Sequence, residues 1–248
     1  MPESTVDAPD GPIDAVLEVP SGSGPWPGVV VVHDALGLSR DIRAIVRRIA
    51  DRGYVTLAPD LYSRGGMVRC VTRTFRELVR RDGRSVDDLN AAREMLLARP
   101  DCDGAVAVVG FCMGGGFALV MAPKGFDVAV PFYGLLPRHL DEALDGACPI
   151  VASFGARDPI LRGAGPKLST ALERLDVPQD VVTYPGVGHS FANQFPVGPA
   201  APLLRVVGMG YGAEQSEDAW RRVFAFLDAH LPSPPAEPGG LPPKAPGD

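Results

Sequence analysis

The sequence predicts an α/β fold, a mostly parallel central sheet wrapped by helices on both faces. Two observations carry that prediction. Short, fully apolar runs such as Val29-Val30-Val31-Val32 recur along the chain, as in strands buried on both sides. Between them lie segments with apolar residues at helical spacing, so strand and helix alternate. A third observation bounds the answer. At 248 residues with 46% hydrophobic and 22% charged residues, the chain can bury a large single core.

The elements follow in order. Residues 1–12 are polar and read as a loose lead-in. Ile13 to Val19 alternates apolar and polar, the pattern of a half-buried edge strand, and the Ser-Gly-Ser-Gly-Pro run at 21–25 is a turn. Gly28 to His33 is a buried strand. Ile42, Ile45, Val46 and Ile49 recur on one helical face, and Gly53 suits the helix end. Tyr54 to Ala58 is a second buried strand, closed by Pro59-Asp60.

Residues 61–84 are rich in arginine and show no clear period. Ser85 followed by Asp88 looks like a helix start, with the helix running to about Arg99. Ala105 to Gly110 is a strand, and the small residues from Cys112 to about Ala122 form a helix. Asp127–Phe132 and Pro149–Phe154 are strands, 164–175 is a helix, and Asp180–Thr183 is the last strand. Trp220, Val223, Phe224 and Leu227 share one face of a final amphipathic helix from Glu214 to His230. The Pro- and Gly-rich residues 232–248 read as a disordered tail, which leaves 13–231 as one domain.

Net charge is −6 and no basic block stands out, so nucleic acid is not an expected partner. The four cysteines lack CxxC spacing, which argues against a zinc knuckle or a thioredoxin-type pair. No leader-like segment or membrane-length apolar run is seen. The expectation is a cytoplasmic protein with reduced thiols, a monomer or small homo-oligomer without a membrane partner.

The chemistry concentrates in Val108-Val109-Gly110-Phe111-Cys112-Met113-Gly114-Gly115. A strand enters a helix through a G-x-C-x-G-G turn too tight for side chains at 110 and 114. Residue 112 is left strained at the apex and at a helix N-terminus, where a thiolate is favoured. Asp158 and His189 then follow, each in the loop after a later buried strand. That is the chain order of nucleophile, acid and histidine in α/β-hydrolases. In such a triad the histidine holds the thiolate and protonates the leaving alkoxide, and the aspartate fixes its tautomer. His139 and His230 look like surface groups.

With these residues in place, the chain resembles the dienelactone hydrolase family from about Ile13 to Leu231. The resemblance rests on Val32-His33-Asp34-Ala35-Leu36-Gly37-Leu38, Ala58-Pro59-Asp60-Leu61-Tyr62, Gly110-Phe111-Cys112-Met113-Gly114-Gly115 and Gly188-His189-Ser190-Phe191. It implies an α/β-hydrolase core, no metal, no organic cofactor, and hydrolysis of a small-molecule ester or lactone by Cys112, His189 and Asp158. The family usually has Glu where Asp34 stands, to help ionise the thiol. Asp34 is one methylene shorter, and its other reading is a cap for the helix of Arg43 to Arg52. Backbone N–H groups of Ala35 and Met113 should form the oxyanion hole.

Dienelactone-cleaving members place an arginine four residues after the histidine, where this chain has Asn193. Arg64 and Arg81, in the arginine-rich segment, are the alternative carboxylate clamps. Tyr133, at a strand end, is a candidate pocket wall. Two other functions compete: a catalytically silent member of the fold that binds a small ligand, and a redox-sensing thiol at Cys112.

Overall fold

The computed structural model describes residues 3–194 and 210–231. The strands are β1 (Glu3–Val6), β2 (Ile13–Glu18), β3 (Trp26–Val32), β4 (Val55–Pro59), β5 (Cys102–Phe111), β6 (Val128–Phe132), β7 (Ile150–Gly155) and β8 (Gln179–Tyr184). They form a sheet in the order β1-β2-β4-β3-β5-β6-β7-β8. Pairing is parallel from β4 across to β8, while β1 and β2 are antiparallel at one edge. The chain thus has the α/β architecture that alternation predicts.

The helices are α1 (Arg40–Ala50), α2 (Met67–Arg80), α3 (Arg84–Leu97), α4 (Met113–Met121), α5 (Leu140–Ala143), α6 (Ala164–Arg174) and α7 (Ala213–His230). Successive strand residues point to opposite faces. Leu96 of α3 lies on the face of Val106, and Trp220 of α7 packs 6.1 Å from the Phe111 ring on the other. Arg48 joins α1 to α7 through Glu217, so these two helices share a face. The central strands are therefore buried on both sides, and β4 to β7 contain no exposed residue outside the first turn of β5.

The structure corrects three expectations. Residues 3–6 are a strand, not loose chain: β1 pairs with β2 and seats Val6 in the core. Only one of its residues is a clear apolar anchor, so no alternation announces it. Residues 67–80 form a helix. Its buried positions, Cys70, Thr74 and Leu78, lie at i, i+4 and i+8, a stripe too narrow and too polar to read as periodic. Ser85 does not cap α3. The cap position is Gly83, and the Glu77 carboxylate accepts from both the Ser85 N–H and its hydroxyl. The proposed tail, 232–248, lies outside the described residues. Among the described residues no helix is long and apolar enough to cross a membrane.

Candidate active site

Parallel strands point their carboxyl ends to one edge, and the loops after β3, β5, β7 and β8 meet there. At the end of β5, Cys112 has φ 54° and ψ −111°, a left-handed conformation that a non-glycine residue adopts only under constraint. The constraint is visible. The Cys112 N–H donates to the Phe132 carbonyl at 3.1 Å, and its carbonyl accepts from Gly116 N–H at 3.1 Å. A Cβ at position 110 would overlap the Gly114 carbonyl, and one at position 114 would overlap the Val32 carbonyl. Both glycines are thus required by close backbone approach.

His189 follows β8. Its Nδ1 lies 2.7 Å from Asp158 Oδ2. The other Asp158 oxygen accepts from the N–H groups of Ile160 (2.8 Å) and Leu161 (3.2 Å), which aim the carboxylate at the ring. The Cys112 side chain also acts on the ring and favours its charged form. Burial pulls the His189 pKa down. The hydrogen bond to Asp158 and the Cys112 side chain outweigh it and push the value up to about 9. For Asp158 burial pulls upward, but its bond to His189 holds the carboxyl below the usual range.

Asp34, after β3, is 2% exposed. Its Oδ1 accepts from the Leu36 N–H at 2.7 Å, while its buried Oδ2 has no hydrogen-bond partner among the described residues. Burial raises its pKa to about 6, with the Asp41 charge adding, against the Leu36 bond and His189. It does not cap the first helix: the Ser39 hydroxyl does, accepting from Ile42 N–H at 3.3 Å. Ala35 lies in the turn that Asp34 organises, and Gly37 N–H closes that turn on the Asp34 carbonyl at 3.2 Å. Met113 is the first residue of α4, so its N–H has no partner within the helix.

The sequence-nominated substrate contacts are placed otherwise. Arg64 makes two bonds to the Asp88 carboxylate, at 2.9 and 2.8 Å, and a third to the Gly11 carbonyl. It is a strut between the lead-in turn and α3, and its guanidinium is not offered to a ligand. Arg81 caps α2 in a left-handed conformation and pairs with Glu142 at 3.1 Å. Asn193 is 1% exposed and turned inward: its Oδ1 accepts from the Tyr133 hydroxyl and its Nδ2 donates to Asp41. Tyr133 is fully buried, its ring 5.3 Å from that of His189. It backs the histidine, where a pocket wall was expected.

Two residues went unsingled in the sequence. Asp41, in the first turn of α1, accepts from the Asn193 side chain and from Gln194 N–H at 3.0 Å, clipping the His189 loop to the other side of the site. His33 is wholly buried, with Nδ1 2.7 Å from the Asp34 carbonyl and Nε2 accepting from Leu61 N–H at 3.1 Å. A carbonyl can only accept, so Nδ1 carries the proton and the ring is neutral. Burial lowers its pKa in keeping with this. Its place in the Val32–Leu38 segment was the available signal.

A strained residue between a parallel strand and a helix, with a histidine and an acid on later loops, defines the α/β-hydrolase class. The match is narrower than the class. The dienelactone hydrolase family profile covers residues 13–231, and the chain belongs to that family, whose members are hydrolases of ester bonds. A carboxymethylenebutenolidase of Pseudomonas putida is 28% identical over 90% of this chain and 94% of its own length. Another, from a Pseudomonas species, is 30% identical over 73% of this chain and 80% of its own. Among solved structures, a dienelactone hydrolase-like promiscuous phosphotriesterase from metagenomic libraries superposes with a TM-score of 0.78 at 26% identity. It spans 93% of this chain and 99% of that one. A Pyrobaculum calidifontis esterase, 17% identical with a TM-score of 0.65 over 92% of this chain and 84% of its own, shares the fold.

Proposed function

We propose that this chain hydrolyses uncharged carboxylic esters and lactones through a Cys112–His189–Asp158 triad and an acyl-enzyme. The observation that carries the reading is His189 bonded to the Asp158 carboxylate at the sheet edge where a strained Cys112 ends β5, with the Cys112 side chain acting on the ring. In the first step the Cys112 sulfur attacks the carbonyl carbon. A C–S bond forms, and the C=O pair moves onto oxygen at the N–H groups of Ala35 and Met113. The intermediate collapses, the C–O bond to the alcohol breaks, and His189 gives its proton to the leaving alkoxide. Water, deprotonated by His189, then attacks the thioester and releases the carboxylic acid and the thiol. Only protein groups, substrate and water enter these steps. The Cys112 proton passes to His189 before the attack, and the buried Asp34, with an unpartnered oxygen and a pKa near neutrality, suits the role of assisting that transfer.

Substrate charge follows from the polar groups around the site. Asp34, Asp41 and Asp158 surround it, while Arg64 and Asn193 are committed elsewhere. These acidic groups would repel a substrate carboxylate and leave a neutral acyl group unopposed. The ordered triad supports turnover over a silent ligand-binding role or a thiol sensor. The four cysteines are unpaired, which suits a cytoplasmic setting. The test is hydrolysis of p-nitrophenyl esters and neutral lactones by wild type and Cys112→Ala. Loss of several orders of magnitude in the variant is expected; near-normal turnover would refute the nucleophile.

A further inference from the structure

We propose that Tyr62 is a positioning residue that braces the two segments supplying the oxyanion N–H groups, so that its hydroxyl supports the transition state without touching substrate. The inference rests on the hydrolytic reading of Cys112. Tyr62 lies in the loop after β4, 3% exposed. Its hydroxyl is 3.3 Å from the Ala35 carbonyl and 3.5 Å from the Met113 sulfur. Its single proton is shared between the β3 loop and the first residue of α4. Those are the two places from which the oxyanion donors come.

The brace is itself held. The Tyr62 N–H donates to Asp60 Oδ1 at 2.9 Å. Its ring meets the His33 ring edge-on at 4.8 Å, and His33 ties Leu61 to the Asp34 carbonyl. On the far side Gly37, at φ 80°, leaves room for the tyrosine: a Cβ there would come within 3.3 Å of the ring. The loops after β3 and β4 and the start of α4 therefore form one unit with the hydroxyl at its centre. The 3.3 Å contact is long for a resting hydroxyl bond. Catalytic hydrogen bonds often tighten only as the reaction proceeds. Here the shift would come as charge builds on the oxyanion and draws both N–H groups inward.

Tyr62→Phe keeps the ring and removes the brace. Complete loss of an oxyanion donor slows turnover by about a hundredfold or more, so a displaced donor should lower kcat by about tenfold with KM unchanged. A trifluoromethyl ketone probes the same geometry, because the Cys112 thiolate adds to its carbon and leaves an oxyanion in the hole. Its inhibition constant should rise about as much as kcat falls, while the rate of Cys112 alkylation by iodoacetamide stays at the wild-type value. Met113→Leu removes the sulfur from the other end of the brace. It should cost a smaller factor alone and nothing further in the Tyr62→Phe background. Three results would overturn the inference: kcat unchanged in Tyr62→Phe, a rise confined to KM, or a fall in kcat with ketone affinity intact. Turnover surviving Cys112→Ala would instead refute Cys112 as the nucleophile, and the brace with it.

Discussion

At Asp34 stability and the proposed activity pull in opposite directions. Its folded pKa, about 6, lies above the value of roughly 4 for an unfolded aspartate. The fold therefore favours the neutral acid. That contribution is complete below about pH 4 and is lost as pH rises through 6, so at pH 8 the buried charge costs about 2–3 kcal/mol. Asp34→Asn should raise the denaturation midpoint at pH 8, and the gain should vanish near pH 4. Activity should move the other way. The wild-type kcat/KM profile should be bell-shaped, rising near pH 6 as Asp34 ionises and falling near pH 9 as His189 loses its proton. The asparagine variant should be slower and lack the acid limb. An unchanged acid limb would show that another group controls it. At Cys112, serine should give slower hydrolysis that resists iodoacetamide, because its hydroxyl leans harder on His189 as base. The strained backbone of Cys112 was legible in its glycine-rich turn. The orphaned oxygen of Asp34 was not, because lack of a partner is a property of the packed environment.

At the scale of elements, the site depends on loops being pinned to helices. The His189 loop is pinned by Asn193, which links Tyr133 to Asp41 of α1. Asn193→Arg introduces the residue that the family resemblance implies at this position, yet it should not create a carboxylate clamp. The position faces a buried polar network, and breaking it leaves the Tyr133 hydroxyl without its Asn193 acceptor and Asp41 Oδ2 without its donor. A loss of about 2–3 kcal/mol is expected, with no gain in preference for acidic lactones. Thermal melts and paired kcat/KM values check both halves. The turn before α4 is equally constrained. Gly110→Ala would drive its methyl into the Gly114 carbonyl, so the strand-to-helix junction must shift. Loss of activity and destabilisation of at least about 3 kcal/mol should follow. The glycines at 110 and 114 were readable as a tight turn because only glycine tolerates that approach. Helix α2 was not readable, since its buried stripe is built from Cys70, Thr74 and one leucine.

Over the whole molecule, charge placement sets the expected substrate. Neutral esters and lactones should be processed at least as well as their carboxylate-bearing analogues, and Arg81→Ala should leave that ratio unchanged. Arg64→Ala should act on stability instead, because it strands Asp88, 2% exposed, without its counter-ion. A loss of about 3 kcal/mol is in line with breaking a buried pair. Strong selection for the acidic lactone, abolished in either arginine variant, would reverse this account. The measurement is kcat/KM for a carboxylate lactone and its methyl ester across the three proteins.

Most of the strand and helix order, the glycine turn at Cys112 and the order of Cys112, Asp158 and His189 are written along the chain. Each depends on local steric rules or on residue order, and the four valines of β3 or the glycines around Cys112 carry that information directly. Which arginines are free, where Asn193 points and what Tyr62 and His33 join are written nowhere in order. Arg64 and Asp88 are 24 residues apart, and Asp41 and Asn193 are 152. A long polar side chain spends its hydrogen bonds on whichever partner folding brings within 3 Å. That choice is made by the stacking of strands and loops at the sheet's carboxyl edge, after local pattern has done its part.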